Sequence, residues 1–447
     1  MASFARALGT RAPLVGSWVV LFLYACPGYM NFDSAEQNFQ VRTLQFSDWH
    51  PPVMTAYWWV LELFVRGPLL MLVLQSVLFL WGMHQILRRH LGEHAAAWCA
   101  AGVLLFPPVF TPMAVVWKDA QMAAFLVAGI ALAMRPSRRA RAGALALWFL
   151  AAGVRDNGIA ALPFVLLWAA GAWGHFGVRR VAIAAAATVA ILVAASAANR
   201  ALTVRTDHPW YRSVAPMDIV GTINYADELS DDELRATLAD TRFTVDHDFQ
   251  QVARASYKPR VWFWLEHEGQ PMFEPPMDKR QRLAIRRAWW SLVRAHPRAY
   301  LRHRAAVMAE LLGLTHSETW EPVAQTLAGT EHQYKRLGHE ASPSFLQRRL
   351  GAAYREHLGD GPLYRPWMYG VLAIILLVDA LRRRDRLVVA LLASGLLYEA
   401  SFFVGAAAPD FRYSHWLVTC TGLAVVLATK ARMAVLPSGS GPCSSRS

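Results

Sequence analysis

Ten apolar runs, several of them too short to cross a bilayer vertically, succeed one another along the chain. They are Pro13–Met30, Leu69–Leu87, Ala95–Met113, Ala120–Met134, Gly143–Val154, Ile159–Trp173, Val181–Asn199, Pro366–Leu381, Leu387–Val404 and Ser414–Thr429. A bilayer core is crossed by about 20 helical residues, and backbone in lipid has to satisfy its own hydrogen bonds, so such runs commit a chain to helices. Composition agrees: AVILMFWYC supply 55% of the 447 residues and DEKR only 17%, below the roughly 25% of soluble chains. Disordered, collagen-like and small disulfide-stapled classes are excluded. The 18 Trp, 13 Tyr and 21 Phe suit two lipid–water interfaces. Gly143–Val154 and Ile159–Trp173 would be one helix without Arg155-Asp156-Asn157. Three successive polar residues are costly at a bilayer centre, so a surface turn is expected there.

The turns between runs alternate in charge. Arg6 and Arg11, Arg88 and Arg89, Arg135 to Arg141, Arg179 and Arg180, Arg382 to Arg386, and Lys430 with Arg432 fall on one side. Asp33, Glu36, Asp48, Glu62, Asp119, Asp156 and Asp410 fall on the other. The positive-inside rule makes the first side cytoplasmic and predicts both termini inside. The net charge of +13 is thereby read as loop arginine, with no nucleic-acid partner. The four cysteines, Cys26, Cys99, Cys420 and Cys443, form no metal or disulfide pattern. Leu23-Tyr24-Ala25-Cys26 loosely resembles a lipoprotein cleavage box, but Tyr24 fits poorly and the first span is expected to stay uncleaved.

Residues 200–365 make one long polar stretch, assigned by this topology to the extracytoplasmic side. Ser230-Asp231-Asp232-Glu233 opens a short helix as a capping box. Lys279–Leu314 carries helical spacing, with Leu283, Trp290, Val293, Tyr300, Val307 and Leu311 on one face and Pro297 breaking it. The expected organisation is an N-terminal membrane module over 1–199 with a first outer loop at 31–68, a small, mostly helical domain over 200–365, C-terminal spans over 366–432, and a disordered cytoplasmic tail over 433–447. The fold class is an all-α polytopic bundle of about ten spans.

Polar residues collect in the outer loops. The first holds Asp33 and Glu36, then His50-Pro51-Pro52 opening an aromatic-rich helix, Val53–Val65, that is too short to span and is read as lying along the interface. Trp117-Lys118-Asp119 heads the fourth run, Arg155-Asp156-Asn157 makes the third outer turn, and Pro409-Asp410-Phe411-Arg412-Tyr413 precedes the last run. Each alone suits a solvated carboxylate or a headgroup-binding base; together they are a functional candidate. Glu399, inside the ninth run, needs a partner, for which Arg155 or Arg412 would serve, whereas Asp379 reads as structural beside Arg382 and Arg383.

A first span followed by Asp33, the Trp49-His50-Pro51-Pro52 element and Lys118-Asp119 at the head of the fourth span resemble the GT-C glycosyltransferases, in particular the protein O-mannosyltransferase and lipid A aminoarabinose transferase group. The resemblance covers about Met1–Asn199, with looser support from Asp410 to Tyr413. It implies a seven-span N-terminal module, a first outer loop with interfacial helices, and a catalytic acid at Asp33. Glu36 stands three positions after Asp33, where the mannosyltransferases often have a second acid directly after the first, and Asp119 matches the acid of the second outer loop.

The expected activity is transfer of a sugar, with inversion, from a polyprenyl-phosphate donor to an extracytoplasmic glycan, lipid or protein at the bacterial inner membrane. Such a reaction needs a base for the acceptor hydroxyl, positive charge on the leaving phosphate and carboxylates near an oxocarbenium-like centre. Asp33 is the expected base, with Glu36 and Asp119 as the other acids. Lys118, Arg155 and Arg412 are candidates for the phosphate, and His50, Asn157, Asp410 and Tyr413 complete the substrate site. Asp33 with Glu36 or Asp119 would alternatively hold Mg or Mn through oxygen ligands. The competing readings are a transporter or flippase of a lipid-linked glycan and an O-antigen ligase or polymerase.

Overall fold

The computed structural model describes residues 2–433 apart from 245–247, 260–265, 268–269, 316–322, 324–330, 339–342 and 407. The expected tail beyond Met433 lies outside the described residues. The protein is all-α; its one regular sheet among the described residues is a two-stranded ribbon, Glu266–His267 against Gln270–Pro271.

Each of the ten apolar runs is mostly helical, yet the expected count of about ten spans needs correction. By length and composition three helices among the described residues can cross a membrane: Leu69–Leu87, Gly177–Leu202 and Arg386–Gly405. A fourth exists if Glu93–Leu105 and Pro107–Met113, bent by 72°, count as one broken span. The reasons are local. Pro107-Pro108 interrupt the third run, as proline removes a helix donor. Lys118–Ala133 has 16 residues, and Leu162–Ala172 has 11. Arg138–Val154 spends its first turn on Arg138, Arg139 and Arg141, and Pro366–Arg383 ends in Asp379, Arg382 and Arg383.

Lys118–Ala133 is the axis of the bundle, buried along almost its whole length between Leu69–Leu87 and Arg138–Val154. Small residues permit that approach. A Cβ on Gly129 would enter the Trp148 ring, and one on Gly82 would lie 2.8 Å from the Ala128 nitrogen. Close backbone contact of this kind suits helix packing in lipid, where burial supplies little drive. Gly177–Leu202 is the opposite case: 17% of its apolar window is buried, so most of its surface faces away from the protein.

Residues within 200–365 contribute to two hydrophobic cores. Ala215–Tyr225 centres a second hydrophobic core with Leu234, Phe249, Ile285 and Leu292. The expected helices are present as Asp231–Thr237, capped by Ser230, and as Lys279–Ala295 and Pro297–Leu311, separated at His296-Pro297. Val307, Leu311, Tyr334, Leu337 and Tyr364 instead join the main bundle core, because Phe345–Leu358 returns to pack on the first helix.

Candidate functional site

Five segments from four loops meet at one end of the bundle. Asp33 sits in the first turn of Phe32–Thr43, which Asn31 and Ser34 fix as a reciprocal capping box. Pro51 and Pro52 start the next helix, Pro52–Glu62, with proline at a position where its missing donor costs nothing, and this orients the preceding His50. Lys118 and Asp119 begin the axial helix. Arg155 ends one helix and leads into the short 3-10 segment Asp156–Ala161. Asp410 caps the turn Phe411–Ser414 by accepting from the Arg412 amide at 3.1 Å, which aims the Arg412 side chain.

These residues form two linked ion-pair groups. Arg412 Nη2 donates to Asp33 Oδ2 at 2.6 Å, and Arg412 Nε lies 2.8 Å from Asp410 Oδ2 without hydrogen-bond alignment. Among the described residues Arg412 Nη1 has no hydrogen-bond partner. His50 Nε2 stands 3.9 Å from Asp33 Oδ1, and His50 Nδ1 is 3.1 Å from Lys118 Nζ. An ammonium can only donate, so Nδ1 accepts and the ring proton sits on Nε2, facing Asp33 from beyond hydrogen-bond distance. In the second group, Arg155 Nη1 donates to Asp119 Oδ2 at 3.0 Å and lies 2.8 Å from Asp119 Oδ1 without hydrogen-bond alignment. Its Nε donates to Asn157 at 3.2 Å, and Asn157 donates on to Ser401 at 3.0 Å. Tyr413 joins the groups, with its ring 4.5 Å from the Arg155 guanidinium carbon and 5.5 Å from that of Arg412.

Burial alone would raise the Asp33 carboxyl, but the adjacent charges, chiefly Arg412, hold it well below the usual carboxylate range. His50 is lowered to about 3 by burial first and by Lys118 second, against the pull of Asp33; it is neutral at pH 7. Asp410 is pushed up by burial despite Arg412. Lys118, half-buried, has no carboxylate within ion-pair distance among the described residues, unlike Arg155 and Arg412.

Nine of the ten expected site residues thus converge: Asp33, His50, Lys118, Asp119, Arg155, Asn157, Asp410, Arg412 and Tyr413. Glu36 does not. It faces out of the cluster toward Arg336 at 3.6 Å. The Mg or Mn alternative does not fit these donors. Asp33 and Asp119 each hold a guanidinium, and no group of three metal-ligating side chains occurs among the described residues.

A polar cleft adjoins the cluster. A cavity of about 360 Å³ is lined by Asp48, Pro51, Pro52, Asp156, Asn199, Arg200, Thr203 and Thr206. It shares Asp156 and Asn199 with a neighbouring cavity of about 210 Å³ that runs beside Ala152, Ile159, Leu192 and Ala195. The same two segments line both sites by alternation: His50 and Arg155 turn into the charged cluster, while Pro51 and Asp156 turn into the cleft. Asp48 also accepts from the amides of Asp207 at 2.5 Å and His208 at 3.3 Å, tying the first loop to the chain beyond Gly177–Leu202.

One expectation about partners changes and one holds. Glu399 is met by Ser414, whose hydroxyl donates to it at 2.7 Å, rather than by either arginine. Asp379 does pair with Arg383.

Sequence reasoning missed a second buried network. Asp218 accepts from Trp289 Nε1 at 2.8 Å, pairs with His303 at 3.0 Å and lies 3.2 Å from Arg304 Nε. Arg304 also donates to the carbonyls of Ala406 and Val404, which locks the small core to the end of Arg386–Gly405. A lone Asp within the apolar helix Ala215–Tyr225 was the available signal. The cleft residues Asn199, Arg200, Thr203 and Thr206 were missed as well, since they stand at the end of an apolar run. No protein-family model, curated protein or solved structure matches this chain.

Proposed function

We propose that the chain is a membrane glycosyltransferase of GT-C type, using a polyprenyl-phosphate sugar at the end of the bundle opposite the basic turns. The observation that carries this reading is the convergence of Asp33, His50, Lys118, Asp119, Arg155 and Arg412 from four loops onto one end of an apolar bundle. Their chemistry matches the three needs of the reaction. The acceptor oxygen attacks the anomeric carbon as the carbon–oxygen bond to phosphate breaks. The hydroxyl proton passes to Asp33, and the leaving phosphate keeps the bonding electron pair beside Lys118 and Nη1 of Arg412. Fixed cations there stabilise charge that develops only as the bond breaks.

Asp33 paired to Arg412 is a weak base. A donor phosphate competing for Arg412 weakens that pair and restores basicity when substrate is bound. The polar cleft at Asp156 and Arg200 offers the second substrate a place next to the cluster, with carboxylates and hydroxyls suited to a glycan. Arg155, engaged by Asp119, organises the site rather than gripping phosphate. A transporter is disfavoured because the charged groups gather at one end rather than at the midplane expected for such proteins.

The test is turnover of polyprenyl-phosphate-linked sugars from a lipid extract by the purified protein, with Asp33→Asn as control. Consumption by the wild type and not by the variant supports the reading. Equal consumption by both removes Asp33 from the chemistry.

A further inference from the structure

A groove at the opposite end of the bundle lies far from the charged cluster in every element it uses. It is a cavity of about 420 Å³ between the first helix and Leu69–Leu87. Its apolar part is formed by Leu14, Val15, Trp18, Val77, Leu80 and Trp81. Val15 and Val77 are 59% and 46% exposed, so the groove opens outward along its length.

Its other end is charged. Arg11, His84, Gln85, Arg88 and Glu93 line it. Arg11 has no partner among the described residues, and Arg88 reaches Glu93 only at 3.7 Å. His84 Nε2 is buried and has no hydrogen-bond partner among the described residues, Glu93 standing 3.6 Å away. Arg135 adds a further positive charge at the rim, over the Trp81 ring at 5.4 Å and 3.3 Å from Gln85. Three guanidinium groups therefore face one carboxylate, and an imidazole nitrogen and an arginine await an acceptor.

We propose that this groove binds an anionic glycerophospholipid of the leaflet at the basic end, with its phosphate at Arg11, Arg88 and His84 and one acyl chain along Val15, Trp18 and Val77. The dimensions agree. Val77 and Arg88 are separated by about 16 Å along the helix, which is about half of the roughly 30 Å hydrocarbon thickness and so the reach of one chain. Arginine suits a phosphodiester through paired hydrogen bonds. The site depends on membrane insertion alone and stands whatever reaction the other end performs.

The experiment is native mass spectrometry of the detergent-purified full chain with phosphatidylglycerol or phosphatidylcholine of identical chains. The wild type should retain phosphatidylglycerol preferentially. Arg11→Gln with Arg88→Gln should reduce that preference roughly 30-fold, from about fivefold per cation near an anionic surface. Val77→Trp, which fills the apolar part at an exposed position, should reduce retention of both lipids while leaving the preference between them unchanged. Equal retention of the two lipids by the wild type, or an undiminished preference in the double variant at unchanged helix content, overturns the proposal.

Discussion

Arg412 Nη2 lies 2.6 Å from Asp33 Oδ2 although 379 residues separate them. The turn before the last helix therefore closes onto the first loop, and the N-terminal module alone does not complete the charged cluster. Arg412 also lies against Asp410 and over the Trp117 ring at 4.8 Å. It is the residue on which the first, second and last of these loops all depend.

Removing either partner has different consequences. Asp33→Asn leaves Arg412 with Asp410, so thermal stability in detergent should fall only slightly, while transfer should fall by about 10²–10⁴ if Asp33 takes the acceptor proton. Arg412→Gln strands Asp33 and Asp410 together. Breaking a buried pair costs about 3–5 kcal/mol, so this variant should unfold at clearly lower temperature as well as lose turnover. Unfolding curves of the two variants at matched protein concentration check the contrast; equal destabilisation would mean that Asp410 does not share Arg412.

Stability should decline on mild acidification. His50, facing Lys118, Asp33, Arg412 and Arg155, is lowered to about 3 chiefly by burial, and His303, facing Asp218 and Arg304, is lowered by burial too. Each folded value lies below the unfolded value of about 6.5. The unfolded chain therefore binds more protons as pH falls, so stability is complete above about 6.5 and is lost below it, by up to about 1.4 kcal/mol per pH unit for each histidine. The Asp33 contribution, from a depressed carboxyl, is lost only below about pH 4. Unfolding midpoints at pH 7.5, 6.5 and 5.0 should show a plateau and then a fall. Histidine replacement at position 50 should shallow the slope, and an unchanged slope would assign the effect elsewhere.

What the sequence made legible was the set of groups, because each stood as a polar interruption between apolar runs: Lys118-Asp119, Arg155 to Asn157 and Asp410 to Tyr413. Which group pairs with which was not legible. Arg155 has a reason for its charge in Asp119, which lies two loops earlier, and only packing of the axial helix against Arg138–Val154 reveals it. Glu36 reads like Asp33 on a one-dimensional scale, but its side chain meets Arg336 while that of Asp33 meets Arg412. The spans were over-read because apolar content was visible while the breaks at Phe106-Pro107 and the charged helix ends set their usable length.

Sidedness can be read chemically. Ser137 caps the basic end of Arg138–Val154, Asp385 caps Arg386–Gly405, and the Asp232 side chain is 98% exposed in the small core. Cysteines at Ser137 and Asp385, in a background lacking Cys26 and Cys99, should resist an impermeant thiol reagent in intact cells. One at Asp232 should react. Labelling at Ser137 would reverse the proposed orientation and place the charged cluster on the cytoplasmic face.

The small core has its own steric signature. A Cβ on Gly221 would overlap His303 Nδ1, whereas one on Gly102 meets nothing within 4 Å. Gly221→Ala should push His303 off Asp218 and cost about 1–3 kcal/mol by overpacking. Gly102→Ala, in an open helix interior, should gain about 0.5–1 kcal/mol. Thermal unfolding of both distinguishes a tight contact from general intolerance at glycine.

Lys118 and Arg155 separate phosphate handling from architecture most sharply. Arg155 is held by Asp119 and lies against Tyr413 and Phe402 at 4.5 and 5.4 Å. Arg155→Gln leaves Asp119 buried and unpaired, so its main effect should be a stability loss of about 3–5 kcal/mol. Lys118 has His50 at 3.1 Å and no carboxylate to strand. Lys118→Gln retains a hydrogen-bond donor for His50, so folding should change little, yet turnover should fall by about 10²–10³, the usual effect of removing one donor aimed at developing charge. On the proposed reaction the loss should appear in kcat more than in donor binding, because the phosphate would gain its charge as the sugar departs. Turnover, donor binding and unfolding are therefore measured on both variants. If Lys118→Gln keeps turnover within a few-fold while Arg155→Gln loses it at unchanged stability, the roles are reversed, and Arg155 must exchange Asp119 for the phosphate during the reaction.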